Sequence, residues 1–283
     1  MTNAPAPNDF ASPVSATIDE LWERRAELSP ADLDARKAVV EAVDLIDAGV
    51  ARAAFVDPAT DEVVVDERAK RAILLSFKVL DMVQSTAGDF HYHDKMPLKT
   101  SLNGARVVPG AVVRWGSYLA PGSIVMPGFV NIGGYLGAGS MLDTWATIGS
   151  CAQIGANVHL AGGVGIGGVL EPPNAVPVVV EDDAFVGSRS IVVDGARVRR
   201  GAKLGAGVIL TKTTRVFDAE SGAELPRGEA PAWSVCVSST RAKQFPGGEF
   251  GMPCVLVLKR LAEGEEHEKL RMNDILRDHG IAS

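Results

Sequence analysis

The sequence has little cysteine and no long apolar run, and each shortage excludes a class of protein. The 283-residue chain contains three cysteines, Cys151, Cys236 and Cys254, which are too few and too scattered for a disulfide framework or for zinc-ligand spacing. No stretch approaches the roughly eighteen uninterrupted apolar residues of a membrane-spanning helix. We therefore expect neither a structural metal nor a membrane segment.

Positive charge is also in short supply. The chain carries 28 Lys and Arg residues against 35 Asp and Glu residues, for a net charge of −7. Nucleic acids and acidic membranes are bound through basic surfaces, so this balance argues against either as a general partner. The opening segment MTNAPAPNDFASPVSAT has neither the positive nor the apolar region of a signal peptide, and we expect a cytoplasmic protein.

The first hundred residues are expected to form a small α-rich domain. Apolar spacing and turn residues predict helices over residues 17–28, 30–49 and 67–83, with a hairpin over residues 53–65. Thr17 and Glu20 match a capping box that would open the first helix. Ser29 and Pro30 suit the N-cap and the first turn of the second. These signals predict where the first two helices begin.

From about residue 107 glycine becomes frequent and an apolar residue recurs every six positions. The first series is Val112, Tyr118, Ile124, Val130, Leu136, Leu142, Ile148, Ile154, Leu160 and Ile166. Because 46% of residues are hydrophobic, ten matches in one frame have a chance probability of roughly 4 in 10,000. The series breaks over residues 168–177 and resumes two residues out of phase, at Val180, Val186, Val192, Val198, Leu204 and Leu210. The repeat is therefore real, with one inserted segment.

A period of six fits neither an amphipathic helix nor a half-buried strand, and it predicts a solenoid of hexapeptide repeats. We expect a mainly β protein built on a left-handed parallel β-helix, with each hexad supplying one short strand of a triangular prism. About sixteen hexads, three per turn, give roughly five coils. The predicted domains are an α-rich domain (1–105), the β-helix (106–212) and a C-terminal extension (213–283). The extension is expected to hold a polar loop, a strand at Val255–Leu258 and a terminal helix at His267–His279.

Two residues depart from the pattern of the repeat, and such departures are where function concentrates. Asp143 follows a recurring aliphatic residue, at a position where glycine is common. It is either a turn residue or a carboxylate that orients or deprotonates a substrate ammonium group. Arg106 lies six residues before Val112, in the predicted apolar column. It either marks the end of the core or clamps a substrate carboxylate with its planar fork.

A basic run near the last repeats contains no acidic residue, although the chain as a whole is acidic. Its members are Arg197, Arg199, Arg200, Lys203, Lys212 and Arg215. The run is either a solvated face or a cradle for the phosphates of coenzyme A, with Arg199, Lys203, Lys212 and Arg215 as the candidate ligands. His159 and Cys151 sit inside regular hexads, and we interpret both as structural residues.

Seven segments match one family of enzymes. They are Glu23–Leu28, Ile73–Phe77, Asp94–Lys99, Met141–Gly155, His159–Pro172, Cys254–Leu261 and Asn273–Leu276. On these segments the whole chain resembles the tetrahydrodipicolinate N-succinyltransferases of bacterial diaminopimelate and lysine synthesis.

The resemblance implies an acyl-coenzyme A dependent N-acyltransferase that needs no metal. It implies a homotrimer with active sites between neighbouring prisms, succinyl-coenzyme A as donor, and the amine of a ring-opened dicarboxylate as acceptor. Arg106 and Asp143 would be the substrate-binding pair, with Asp143 also managing the proton of the amine. Two other functions stay open: a diverged acyltransferase with another donor or acceptor, and an inactive trimeric β-helix that binds a ligand.

One position departs from the family. After Arg189 and Ser190 the family carries a glutamate that is regarded as an active-site acid, whereas this chain has Ile191. An aliphatic side chain cannot relay a proton. Either Asp143 suffices, or another acid such as Asp194 or Glu171 takes over, or the activity has diverged.

Overall fold

A computed structural model describes residues 10–263 and His279, and its N-terminal part is α-rich, as predicted. Three helices, α1 Thr17–Glu23, α2 Leu33–Asp47 and α3 Glu67–Val79, accompany a hairpin of β1 Ala54–Val56 and β2 Val63–Val65. The buried residues of these helices share one core that includes Ile18, Val39, Val43, Ile73 and Leu75. The order of the predicted elements is confirmed.

Aspartates cap the second and third helices, and in the second the aspartate takes the place of the predicted Ser29. Asp32 and Asp66 each accept a hydrogen bond from the backbone N–H three residues later, at 3.0 and 3.1 Å. The N-cap of α1 is Ala16, and Thr17 lies inside the helix, where its hydroxyl accepts a hydrogen bond from the hydroxyl of Ser15 at 3.1 Å. The predicted capping box and the predicted cap at Ser29 are therefore wrong. An aspartate oxygen satisfies an unpaired helix N–H as well as a serine does, so sequence alone does not choose between nearby candidates.

A second hairpin, β3 Val83–Ala87 and β4 Phe90–Asp94, follows α3 where the sequence predicts a further helical turn. The helix ends because Leu80 is already extended, with ψ of 143°. Most of the hairpin is exposed. Together with α2 and the first coils it borders a cavity of about 520 Å³.

A parallel β-helix follows, in which two-residue strands repeat in the order sheet 1, sheet 2, sheet 3. Sheet 1 contains β5 Arg106–Val107, β8 Ile124–Val125, β11 Met141–Leu142, β14 His159–Leu160, β17 Phe185–Val186 and β20 Lys203–Leu204. Sheet 2 contains β6 Val112–Val113, β9 Phe129–Val130, β12 Thr147–Ile148, β15 Gly165–Ile166, β18 Ile191–Val192 and β21 Ile209–Leu210. Sheet 3 contains β7 Tyr118–Leu119, β10 Tyr135–Leu136, β13 Gln153–Ile154, β16 Val179–Val180, β19 Arg197–Val198 and β24 Glu229–Ala230.

The second residue of each strand points into the prism and the first points outward. The predicted column is the inward one from Val130 onward, and its members are buried. In the first three hexads the prediction is one residue early, because the inward residues are Val113, Leu119 and Val125. Val125 and Val130 are five positions apart, so one short step shifts the frame. The same shift applies to Arg106, which is the first residue of its strand and is exposed on the outer face. Its prediction as a member of the inward column is wrong.

Glycine follows the inward residue at several corners because consecutive coils nearly touch there. A Cβ atom on Gly137 would lie 2.3 Å from the carbonyl oxygen of Gly155 in the next coil. One on Gly149 would lie 2.2 Å from the backbone nitrogen of Gly168. The small residue is required by this approach, since van der Waals contact of a real Cβ needs more than 3 Å.

The prism continues beyond residue 212. After a pair of short strands, β22 Val216–Asp218 and β23 Glu224–Leu225, β24 adds to β19 in parallel. A long hairpin follows, β25 Ser234–Phe245 and β26 Gly248–Arg260, and β25 adds to β20. The predicted strand at Val255–Leu258 lies in β26, but the predicted polar loop before it is wrong, because the insertion after β21 hides the last repeats. The predicted helix at His267–His279 lies outside the described residues except for His279.

The α-rich domain packs on sheet 3. The guanidinium of Arg52 lies 3.7 Å from the ring centre of Tyr135, and its Nε donates to Gln153 Oε1 at 3.0 Å. Lys70 of α3 is fully buried, and its Nζ donates to the carbonyl oxygens of Pro172 and Ala175, at 3.3 and 2.5 Å. These two residues lie in the predicted insertion, between β15 and β16. These hydrogen bonds thus connect helix α3 to the insertion between β15 and β16.

Candidate active site

The outer column of sheet 1 carries much of the chemistry predicted from the sequence. Strand register aligns Arg106, Ile124, Met141, His159, Phe185 and Lys203 in that order. Arg106 is exposed and the others are partly buried. Arg106 and Lys203 therefore share one face of the prism, although they are far apart in the sequence.

Asp143 lies beside this column, at the corner that leads from sheet 1 to sheet 2. Its Oδ1 accepts hydrogen bonds from the backbone N–H of Thr144 at 2.6 Å and from the Thr144 hydroxyl at 3.2 Å. Its Oδ2 lies 3.5 Å from Nε2 of His159. The turn role and a ligand role use different oxygens, so both interpretations of this residue are compatible with the geometry. The Thr144 N–H holds the pKa of the Asp143 carboxyl below its usual range, which keeps the group ionised.

The neighbour of Asp143 is His159, which its place in a regular hexad predicts to be a structural residue. It occupies the outward position of β14, and 38% of its side chain is exposed. The ring of Phe185 meets its imidazole edge-on, with centroids 5.4 Å apart. Each hexad has an outward position as well as an inward one. A polar residue directly before the buried aliphatic residue indicates a side chain on the outer face, and this is how the sequence could have pointed to His159.

The same corner holds two bulky residues in a backbone conformation that favours glycine. Trp145 has φ of 60° and Arg189 has φ of 58°, whereas the equivalent corners use Gly163 and Gly207. Backbone hydrogen bonds stack these turns, for example from Gly163 N–H to the Thr144 carbonyl at 2.9 Å. The Trp145 side chain is 73% exposed. Strained, exposed residues of this kind gather at functional sites, and the missing glycines were the sequence signal.

The predicted basic run is distributed over the three sheets and is largely engaged by acids. Arg199 pairs with Asp61 and with Glu229, the latter at 2.8 Å. Arg215 makes a two-pronged pair with Glu224, at 3.1 and 2.6 Å. Within this chain the run is not one continuous cradle, because its members lie on different sheets and its arginines are paired with acids.

The two lysines of the run have different surroundings. Lys203 donates from Nζ to the carbonyl oxygen of Asp183 at 2.5 Å, and burial lowers the pKa of its ammonium group. Lys212 borders a cavity of about 460 Å³ together with Glu171 and Asp194. Lys203 is therefore on the Asp143 face, whereas Lys212 lies near the corner between sheets 2 and 3.

Two arginines stand out as unengaged. Among the arginines in the described part of the chain, Arg106 and Arg189 make no side-chain hydrogen bond, ion pair or ring contact. A free guanidinium fork is suited to a carboxylate or a phosphate. Both lie on the side of the prism that carries Asp143.

Ile191, where the resemblance implies an acid, lies on another face. It is the outward residue of β18 in sheet 2, between Gly165 and Ile209. Asp194 and Glu171 are farther still, at the corner between sheets 2 and 3. One chain does not bring any of these three positions to Asp143.

Cys151 is a core residue, as predicted. It is fully buried, and burial raises the pKa of its thiol to about 12, so it is not a nucleophile at neutral pH. In the described residues no group of three or more His, Cys, Asp or Glu is placed to hold a metal ion. No helix in the same part of the chain is long and apolar enough to cross a membrane.

A parallel prism of hexapeptide repeats, with an ionised acid, an imidazole and free arginines on one side, defines a hexapeptide-repeat transferase. A family model described as the N-terminal part of tetrahydrodipicolinate N-succinyltransferase matches residues 13–79. A second model, described as the hexapeptide repeat of succinyl-transferase, matches residues 177–212.

Relatives extend this match over nearly the whole chain, and all three below are named 2,3,4,5-tetrahydropyridine-2,6-dicarboxylate N-succinyltransferase. The protein of Thioalkalivibrio sulfidiphilus is 44% identical over 277 residues, covering 94% of this chain and 99% of its own. That of Cupriavidus metallidurans is 42% identical, covering 94% and 98%. That of Yersinia pestis is 41% identical, covering 92% and 96%. The chain belongs to the tetrahydrodipicolinate N-succinyltransferase family, as the sequence motifs predicted.

Proposed function

We propose that the protein transfers the succinyl group of succinyl-coenzyme A to tetrahydrodipicolinate, forming N-succinyl-2-amino-6-oxopimelate for diaminopimelate and lysine synthesis. The observation that carries the proposal is the near-complete match to enzymes named for this reaction, at 41 to 44% identity. The site agrees with it, because an ionised carboxylate and free guanidinium groups suit an amine acceptor that carries two carboxylates.

In this proposal the acceptor is held by charge. Oδ2 of Asp143 takes the ammonium group, since Oδ1 is already occupied by Thr144. Arg106 takes an acceptor carboxylate in its planar fork. Arg189, at the corner two coils beyond Asp143, takes the free carboxylate of the succinyl group. Backbone N–H groups at the coil corners steady the oxyanion that forms at the thioester carbonyl.

The coenzyme A phosphates are proposed to bind the basic run near the last coils, at Arg199, Lys203, Lys212 and Arg215. The ion pairs of Arg199 and Arg215 favour the two lysines as the stronger contributors, because a phosphate at either arginine must share the guanidinium with a carboxylate. Each charge-assisted contact contributes about 1.5–3 kcal/mol.

The proposed assembly is a homotrimer of left-handed prisms in the cytoplasm, with each site completed by a neighbouring prism. The outer faces of sheets 1 and 2 support it, because the α-rich domain covers sheet 3 instead. Ile191 and Ile209 on sheet 2 are 42% and 56% exposed. In such an assembly a neighbour could place its sheet 2 against Asp143, which joins faces that one chain keeps apart.

A thiol-release assay tests the function. Purified protein is given succinyl-, acetyl- and glutaryl-coenzyme A with tetrahydrodipicolinate, and the product is identified by mass. We expect succinyl-coenzyme A to be the preferred donor and N-succinyl-2-amino-6-oxopimelate to be the product. No thiol release with any donor, or a different acylated product, would overturn the proposal.

A second candidate, transfer of another acyl group, is favoured by one observation: Ile191 replaces the acid of the family. Ile191→Glu separates the two. If the enzyme runs the family reaction without that acid, the new carboxylate raises kcat with succinyl-coenzyme A, by up to the 10²–10⁴-fold that a positioned acid or base typically contributes. If the site has been remodelled for an apolar acyl group, the same substitution lowers kcat with a longer donor. Steady-state kinetics of the wild type and the variant with both donors show whether kcat rises or falls.

A further inference from the structure

We infer that His159 is a catalytic residue, the general base that accepts the proton of the substrate ammonium group while Asp143 holds that group in place. The inference rests on the proposed function and adds a role that sequence motifs did not give. The observation that supports it is the position of the His159 imidazole beside the Asp143 carboxylate.

The reaction needs a base because an amine is protonated, and hence not nucleophilic, at neutral pH. Efficient general bases have a pKa near the working pH, and imidazole is the side chain that ordinarily meets this condition. Asp143 is poorly suited, because the N–H of Thr144 stabilises its ionised form and lowers its pKa. A carboxylate of that kind binds a cation well and deprotonates it weakly.

The geometry places the two groups side by side on the outer face of the prism. The 3.5 Å between Asp143 Oδ2 and His159 Nε2 is the outer limit of a hydrogen bond, so the pair makes at most a weak one. A substrate nitrogen beside both atoms would lie within hydrogen-bonding reach of each. Both side chains are about one-third exposed, at 34% and 38%, and hence open to a ligand.

The imidazole is also held in place. Met141 and Phe185 flank it along the column, and the edge contact with Phe185 restricts the ring. The charged groups around it are few. Asp143 faces it from the corner after β11, and Lys203, one strand beyond Phe185, directs its Nζ to the carbonyl oxygen of Asp183. Asp143 is therefore the charged side chain beside the ring, and the contact with Phe185 restricts its orientation.

The step balances without a further reactant. His159 takes one proton from the ammonium group, and the freed amine attacks the thioester carbonyl to form the C–N bond. The tetrahedral intermediate loses the second nitrogen proton and breaks its C–S bond, and sulfur leaves as the coenzyme A thiol. One proton remains on His159 and passes to solvent, as amide formation from an ammonium group requires.

Two variants at His159 and one control test this. His159→Gln should lower kcat by about 10²–10⁴-fold with a nearly unchanged acceptor KM, since Asp143 still binds the amine. In the wild type, kcat/KM should fall with acid, because a general base must be unprotonated to act, and this acid limb should be absent in the variant. His159→Gly should regain activity when imidazole is added. His91→Gln, on the exposed hairpin strand β4, is the matched control and should behave as wild type.

The outcomes separate this inference from the function on which it rests. A wild type that releases no thiol refutes the proposed function, whatever His159 does. An active wild type together with a fully active His159→Gln variant refutes only the role of His159. A slow His159→Gln variant that keeps the acid limb, with no rescue of His159→Gly by imidazole, would show a structural residue and overturn the inference as well.

Discussion

The two oxygens of Asp143 have different neighbours in the fold. Oδ1 ties the corner through Thr144, and Oδ2 faces outward towards His159. A side chain with this division of labour satisfies both the turn interpretation and the substrate interpretation that its sequence position allows. A substitution that keeps the first bond and removes the charge can tell which one matters for activity.

Asp143→Asn is that substitution. The amide oxygen can still accept the Thr144 N–H, so the folded prism should keep its stability to within about 1 kcal/mol at neutral pH. The loss of the negative charge should lower kcat/KM for the acceptor by at least about 10²-fold, since a charge-assisted bond to ammonium is lost. Steady-state kinetics and thermal unfolding measure the two effects. Full activity in the variant would make Asp143 a turn residue only.

Trp145 pairs backbone strain with an exposed indole. Trp145→Gly removes both, whereas Trp145→Ala removes the indole and keeps a Cβ atom at φ of 60°. We expect the glycine variant to be more stable than the alanine variant by about 1 kcal/mol, because a left-handed backbone costs L-residues that much. Both should be less active than wild type if the indole borders the substrate. Thermal unfolding and the thiol assay are the measurements, and equal stability of the two variants would show an unstrained corner.

At the scale of the element, stacking of coils sets which corners admit a side chain. Gly137 has no room, since its Cβ would meet the Gly155 carbonyl at 2.3 Å. Gly162 has ordinary room, because its nearest neighbour would be the Thr144 carbonyl oxygen at 3.5 Å. Two glycines with similar sequence surroundings thus differ in what they tolerate.

Gly137→Ala should therefore destabilise the prism by about 1–3 kcal/mol, the usual cost of overpacking. Gly162→Ala is the matched control and should change stability by less than about 0.5 kcal/mol. Denaturant unfolding of both variants provides the comparison. Equal effects would mean that the coils separate easily at Gly137, contrary to the tight approach of the backbones.

The hexad series shows how far sequence carries this fold and where it stops. From Val130 onward, burial of one residue in six fixes the inward column, because a strand of two residues has one inward position. Val125 and Val130 are five positions apart instead of six, and no residue type in the sequence marks this shorter repeat. The periodicity therefore predicts the inward residues of the first three hexads one position too early. The partners of Arg199 were hidden for another reason: Asp61 and Glu229 lie 138 and 30 residues away, and only the coiling of the chain brings them together.

Of the proposed site, the acid and the arginine are proposed from the sequence, whereas the base is proposed only from the structure. Asp143 breaks a glycine position, which sequence reveals directly. His159 does not depart from the pattern of the repeat, because an outward residue of a hexad is free to be polar. Only the strand register places it beside Asp143.

At the scale of the whole molecule, the faces of the prism are covered unequally. The α-rich domain covers sheet 3 and borders the first two strands of sheet 2 at the cavity. The outward column of sheet 2 holds no charged residue in any of its six strands. An uncharged, partly apolar face of this kind is suited to burial against another copy.

We expect light scattering to show a trimer at micromolar concentration. Ile209→Asp should shift the mass towards the monomer, because it buries a charge in the proposed contact. Leu33→Asp is the matched control: Leu33 is 72% exposed at the start of α2, outside the β-helix, and its substitution should leave the mass unchanged. A monomeric wild type would remove the site shared between neighbours.

Lys70 limits how this architecture can be recombined. Its buried ammonium group and the carbonyl oxygens of Pro172 and Ala175 satisfy one another across more than a hundred residues of chain. A chimera whose loop takes another course, or whose helix lacks this lysine, would leave a buried cation or two buried carbonyl oxygens without a partner. Loop grafting in this protein must therefore treat helix α3 and the loop between β15 and β16 as one piece.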